Sequence, residues 1–100
     1  MGFDDKAQIV KSGDDLFKLI DQQTDNLLLL RAYNGWYTTA LEFVKRQAKN
    51  RLPEFENLHN KNQSFLCQLK PDLQQVKVNL TIQIAIIEGS TDHDVHISIL

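Results

Sequence analysis

The sequence predicts an α+β fold in one domain spanning residues 1–100: a helical half over 12–60 and a β-hairpin half over 73–100. Two observations carry that expectation. Between Leu16 and Ala48 the apolar residues recur at steps of four and three, the spacing of a helix face. From Val76 onward the step drops to two and β-branched residues dominate, the pattern of a half-buried strand. An all-α helical bundle is the alternative, because part of the second half also fits a helix.

A helix start is expected at Ser12. Asp15 follows three residues later in a capping-box-like arrangement, and Asp14 and Asp15 put negative charge where the helix dipole favours it. Leu16, Ile20, Gln23, Leu27, Leu30, Asn34, Tyr37, Leu41, Val44 and Ala48 then share one unbroken heptad-like phase. That phase survives Asn34-Gly35, although Asn-Gly is a strong turn signal. Two helices joined by a turn have no reason to keep a common register, so one long helix is expected. A helical hairpin turning at Asn34-Gly35 is the alternative. Gly35 inside a helix costs about 1 kcal/mol relative to Ala, which burial of Trp36, Tyr37, Leu41 and Val44 can offset.

A continuous helix from Asp14 to Asn50 would be about 55 Å long, whereas a compact chain of this size has a radius of gyration of about 13 Å. Its seam would stay uncovered unless a second chain packed on it. Leu27, Leu30, Asn34, Tyr37, Leu41 and Val44 are therefore expected to form a homodimer interface, in which Asn34 fixes the register. A second apolar set, Leu19, Leu28, Leu29, Trp36, Ala40 and Phe43, faces the rest of the chain. Pro53 starts a new turn or bends the helix. Leu52, Phe55 and Leu58 then keep helical spacing, so a short helix is expected to about His59, followed by the polar connector "NKNQS".

In the second half Val76, Val78, Leu80, Ile82, Ile84 and Ile86 alternate with Lys77, Asn79, Thr81, Gln83 and Ala85. "EGSTDHD" supplies turn residues, and Val95, Ile97 and Ile99 resume the alternation as a second strand. The helical alternative has Asp72 capping a face of Leu73, Val76, Leu80, Ile84 and Ile87 that ends at Gly89. Strand is preferred because helices seldom carry so many β-branched residues. Two strands alone make a marginal sheet, so the hairpin should lie on the helices or pair its edge with a second protomer. A strand reaching Leu100 also admits that these residues were cut from a longer protein.

The bulk numbers narrow the function classes. A net charge of −2 creates no global field toward nucleic acid or an acidic membrane. No stretch approaches the length of a membrane-spanning apolar run. "MGFDDKAQIVKSG" is too acidic for a signal peptide, and Lys6 stands where N-myristoylation needs Ser or Thr. A cytoplasmic location is expected, with the N-x-S/T sequons at Asn62 and Asn79 occurring by chance. Cys67 is the only cysteine, which excludes an intrachain disulfide and a Cys-based zinc site, and it is read as a small buried apolar residue.

Motifs that carry chemistry are missing. There is no Walker loop, no G-x-G-x-x-G and no H-E-x-x-H, so no catalytic residue, cofactor or metal ligand is assigned. "TDHDVH" gathers Asp92, His93, Asp94 and His96 without the usual zinc spacing and is read as a solvated hairpin loop. Lys45, Arg46, Lys49 and Arg51 suit the negative end of a helix dipole, and contact with nucleic-acid phosphates is their second reading.

Residues 27–59, "LLLLRAYNGWYTTALEFVKRQAKNRLPEFENLH", resemble helical segments of bacterial proteins similar to HEPN-type defence proteins. The matching positions are Arg31, Tyr33, Trp36, Tyr37, Ala40, Val44, Arg51, Leu52 and Phe55. The resemblance implies a bacterial source, a helical region, dimerisation and a place in phage defence or a toxin–antitoxin pair. HEPN ribonucleases use an arginine and a histidine with four to six residues between them. Here seven residues separate Arg51 from His59 and twelve separate Arg46 from it, so the catalytic motif is not matched. The expected function is a non-enzymatic, self-associating interaction or regulatory module, partnered by itself and by another protein. A HEPN-like ribonuclease or a nucleic-acid-binding module is the alternative.

Overall fold

Asp25 ends the phase that the heptad-like pattern carries through it. The computed structural model describes residues 2–22 and 25–90, and in it Asp25 takes an extended backbone while its Oδ2 accepts from the amides of Leu27 (3.0 Å) and Leu28 (3.4 Å). That side chain satisfies two of the amides a helix start leaves without partners. The long seam therefore belongs to two helices, α1 (Gly2–Asp21) and α2 (Asn26–Gln47). α1 begins well before Ser12, so the capping-box start expected there is helix interior. α2 passes through Asn34-Gly35 without a turn. A 3₁₀ turn, Lys49–Arg51, leads into α3 (Leu52–Leu66), with Pro53 in its first turn, and α4 (Leu73–Ser90) completes the described chain.

The α+β expectation is overturned by α4. Residues 76–86 form a helix, and no strand occurs among the described residues. The partner strand expected at Val95, Ile97 and Ile99 lies outside them, as does the "TDHDVH" loop from Asp92 on. The reason is what a helical face can bury. Val76, Leu80, Ile84, Ile86 and Ile87 all turn inward, each contributing on the order of 1.5–3 kcal/mol, with Asn79 and Gln83 between them in hydrogen bonds. The β-branched penalty is a few tenths of a kcal/mol per residue, which that burial exceeds. A helix also satisfies its own backbone, as a lone two-stranded sheet cannot. Asp72 caps it: the Gln75 amide donates to Asp72 Oδ1 at 3.2 Å.

The helices pack in a ring, α1 against α2 and α4, and α3 against α2 and α4, with α2 and α4 also touching across the centre. Lys77 near the start of α4 pairs with Asp21 at the end of α1 at 2.8 Å, which sets those two antiparallel. Gly13 is the point of closest approach: a Cβ there would stand 2.8 Å from Ile84 Cδ1 and 3.2 Å from Trp36 Nε1. The Trp36 indole crosses the same gap to donate to the Ile9 carbonyl at 2.9 Å. Because the chain folds back at Asp25, its radius of gyration is 14.0 Å, and no helix projects as the 55 Å expectation required. Among the described residues no helix is long and apolar enough to cross a membrane. Cys67, expected in the core, is exposed in the turn after α3, beside the almost fully exposed Leu69.

Candidate functional site

Two features qualify for function: a polar cluster inside the bundle and a groove on its outside. The cluster is ordered by the one group in it that can only accept. Gln83 Nε2 donates to the Phe55 carbonyl at 3.3 Å, which leaves Gln83 Oε1 to accept from the Tyr33 hydroxyl at 2.9 Å. Tyr33 has then spent its proton, so the 3.4 Å contact to His59 requires His59 Nδ1–H to donate to Tyr33 Oη. His59 is accordingly the Nδ1–H tautomer, with its ring stacked on Tyr37 at 3.5 Å between centroids. Tyr37 in turn stacks on Phe55 at 5.4 Å.

Burial keeps every member of this cluster neutral. It lowers the His59 pKa from the ordinary 6.5 and raises that of Tyr33 well above the usual phenol range. Tyr37 is pushed up to about 12, first by burial and then by the negative charge of Glu56. A tyrosine shifted this way is a poorer acid and holds less phenolate at neutral pH. Beneath it Asn62 Oδ1 accepts from Asn79 Nδ2 at 2.9 Å, while Asn62 Nδ2 lacks a well-formed hydrogen bond among the described residues. The arrangement ties α2, α3 and α4 together through side chains of all three, with His59 half-buried at its edge.

The groove lies between α1 and α2, with a volume of about 870 Å³. From α1 it is lined by Gln8, Ser12, Asp15 and Leu19, and from α2 by Arg31, Gly35, Thr38, Glu42 and Arg46. Gly35 is exposed, and a Cβ built on it meets nothing from the rest of the described chain within 4 Å. Arg31 has no ion-pair partner among the described residues, whereas Glu42 carries Lys45 at 3.7 Å and its carbonyl accepts from Arg46 Nε at 3.4 Å.

The residues expected on the dimer seam separate. Tyr37 and Val44 are buried in the chain's own core, and Leu30 and Leu41 pack partly against it. Asn34 turns toward α3 and accepts from Gln63 Nε2. Leu27 remains 56% exposed, as does its neighbour Leu28. The basic set is spread over two elements: Lys45 and Arg46 end α2, while Lys49 and Arg51 sit in the 3₁₀ turn, and Arg51 pairs with Glu54 at 2.9 Å. No metal-binding group of acidic, histidine or cysteine side chains occurs among the described residues.

Gln83, Asn79 and Asn62 escaped the sequence reading because a strand would turn the first two to solvent. Their signal was present, since Asn79 and Gln83 are four apart and fall on the same helical face as Val76 and Leu80. Comparison of the chain with protein-family models, curated proteins and solved structures gives no match.

Proposed function

We propose that this chain is a small non-enzymatic interaction module that self-associates, and that it docks through the α1–α2 groove. Gly35 carries the reading. A glycine in the middle of a helix costs about 1 kcal/mol relative to alanine, and nothing in the described fold needs its missing side chain. Such a residue is explained by a second surface that must come close. Leu27 and Leu28, exposed at the head of the same helix, add apolar area for that contact. The neutral, hydrogen-bonded state of Tyr33 and His59 supports a structural role for the polar cluster.

The bacterial defence or toxin–antitoxin setting belongs to this proposal through the resemblance of residues 27–59, as does a cytoplasmic location through the sequence. Sedimentation equilibrium up to high micromolar concentration tests the reading. A reversible monomer–dimer equilibrium is expected; a single monomeric species throughout would overturn it.

A further inference from the structure

We infer that the partner in the groove is a second copy of this chain, with the two α2 helices crossing antiparallel about a two-fold axis at Gly35 and Thr38. This rests on the self-association proposed above and adds its geometry. Arg31, Gly35, Thr38 and Glu42 are exposed and follow one another at steps of four, three and four, so they form a single stripe along α2. Its spacing is the same from both ends, centred between Trp36 and Tyr37. A two-fold axis at that centre sets Arg31 of one copy opposite Glu42 of the other, twice, and Gly35 opposite Thr38, twice.

The charges are complementary only in the antiparallel sense, because parallel alignment would place Arg31 on Arg31 and Glu42 on Glu42. Small residues fall at the crossing, where helix axes come nearest. Each α2 then occupies the groove of the other copy, where Ser12 and Asp15 of α1 form the far wall. The same register lays Leu27 and Leu28 of one copy along the aliphatic stems of Arg46 and Lys45 of the other, covering the two exposed leucines at the head of α2. Arg31, without an ion pair among the described residues, gains one.

Charge reversal tests the register by sedimentation equilibrium on the full chain, with circular dichroism as the check on folding. Arg31→Glu alone and Glu42→Arg alone should each weaken the dimer about tenfold or more, because each change acts twice. The double variant Arg31→Glu/Glu42→Arg should recover affinity to within about threefold of the wild type. Gly35→Leu should abolish the dimer at unchanged helicity, since its side chain starts in open space. Single reversals that leave the dimer intact, or a double variant as weak as the singles, would overturn the antiparallel crossing while self-association stands. A wild type that never dimerises would overturn both.

Discussion

Replacing Gly35 by alanine separates the helix from the turn and the monomer from the dimer in one experiment. In the fold described here Gly35 is helix interior, its φ outside the left-handed region, and the added methyl meets no neighbouring element within 4 Å. The substitution thus gains helix propensity with no steric charge against it, about 0.8–1 kcal/mol. For a domain of this size that raises the melting temperature by about 4–8 °C. Thermal and urea unfolding followed by circular dichroism, at concentrations where the chain is monomeric, measures it. The same methyl stands at the proposed crossing, so the dimer should weaken as the monomer gains stability. A monomer destabilised by 1 kcal/mol or more would refute the reasoning, because an alanine forced into the left-handed backbone of an Asn-Gly turn carries that penalty.

Asp25→Ala removes the acceptor for the Leu27 and Leu28 amides and should cost about 1 kcal/mol; an unchanged melting temperature would mean that α1 and α2 are not separated by this cap. Tyr33→Phe leaves Gln83 Oε1 buried without a donor, and about 1–3 kcal/mol should be lost in urea unfolding, with a neutral result arguing against the cluster's role in stability. The folded-state pKa of His59 lies below 6.5, so on acidification the unfolded chain takes up its proton first. Stability should be fully present above pH 6.5 and fall as the pH drops from there toward the folded value. His59→Phe should flatten that slope, and a slope unchanged by the substitution would assign it to other groups. Tyr33 and Tyr37 are shifted upward, so stability should fall again as the pH rises above the ordinary phenol value of 10.0, which alkaline unfolding curves of Tyr37→Phe would test.

The helical half was legible because Leu30, Tyr37, Leu41 and Val44 repeat at helical spacing, and helix continuity through Asn34-Gly35 follows from the same phase. The break at Asp25 was hidden for the same reason: Leu16 and Ile20 on one helix happen to be in phase with Leu30 and Tyr37 on the next. "TDN" at residues 24–26 held the local signal, three residue types favoured at helix starts, which the longer pattern overrode. The second half was misread because Val76, Leu80 and Ile84 satisfy both periods, whereas Val78 and Ile82, which a strand would bury with them, stay exposed on the helix. Only the pairing of Asn79 with Asn62, and of Gln83 with Tyr33 and Phe55, decides that these polar residues face inward. Those partners are 17 to 50 residues away in sequence, beyond the reach of any local pattern. Of the expected seam, Leu27 is the residue that stays on the surface used in the proposed dimer. The groove itself needed α1 to fold back, which the long-helix reading did not allow.

The antiparallel pairing of two α2 helices is tested most directly by a distance between copies. A nitroxide on Asn26→Cys in a Cys67→Ser background sits at the exposed start of α2, about ten residues from the proposed two-fold. At 1.5 Å per residue the two labels of an antiparallel dimer lie about 30–35 Å apart, and pulsed dipolar spectroscopy should return one narrow distribution there. Labels about 10–15 Å apart, as side-by-side parallel helices would place them, or no coupling above background at dimer-forming concentration, would contradict the account.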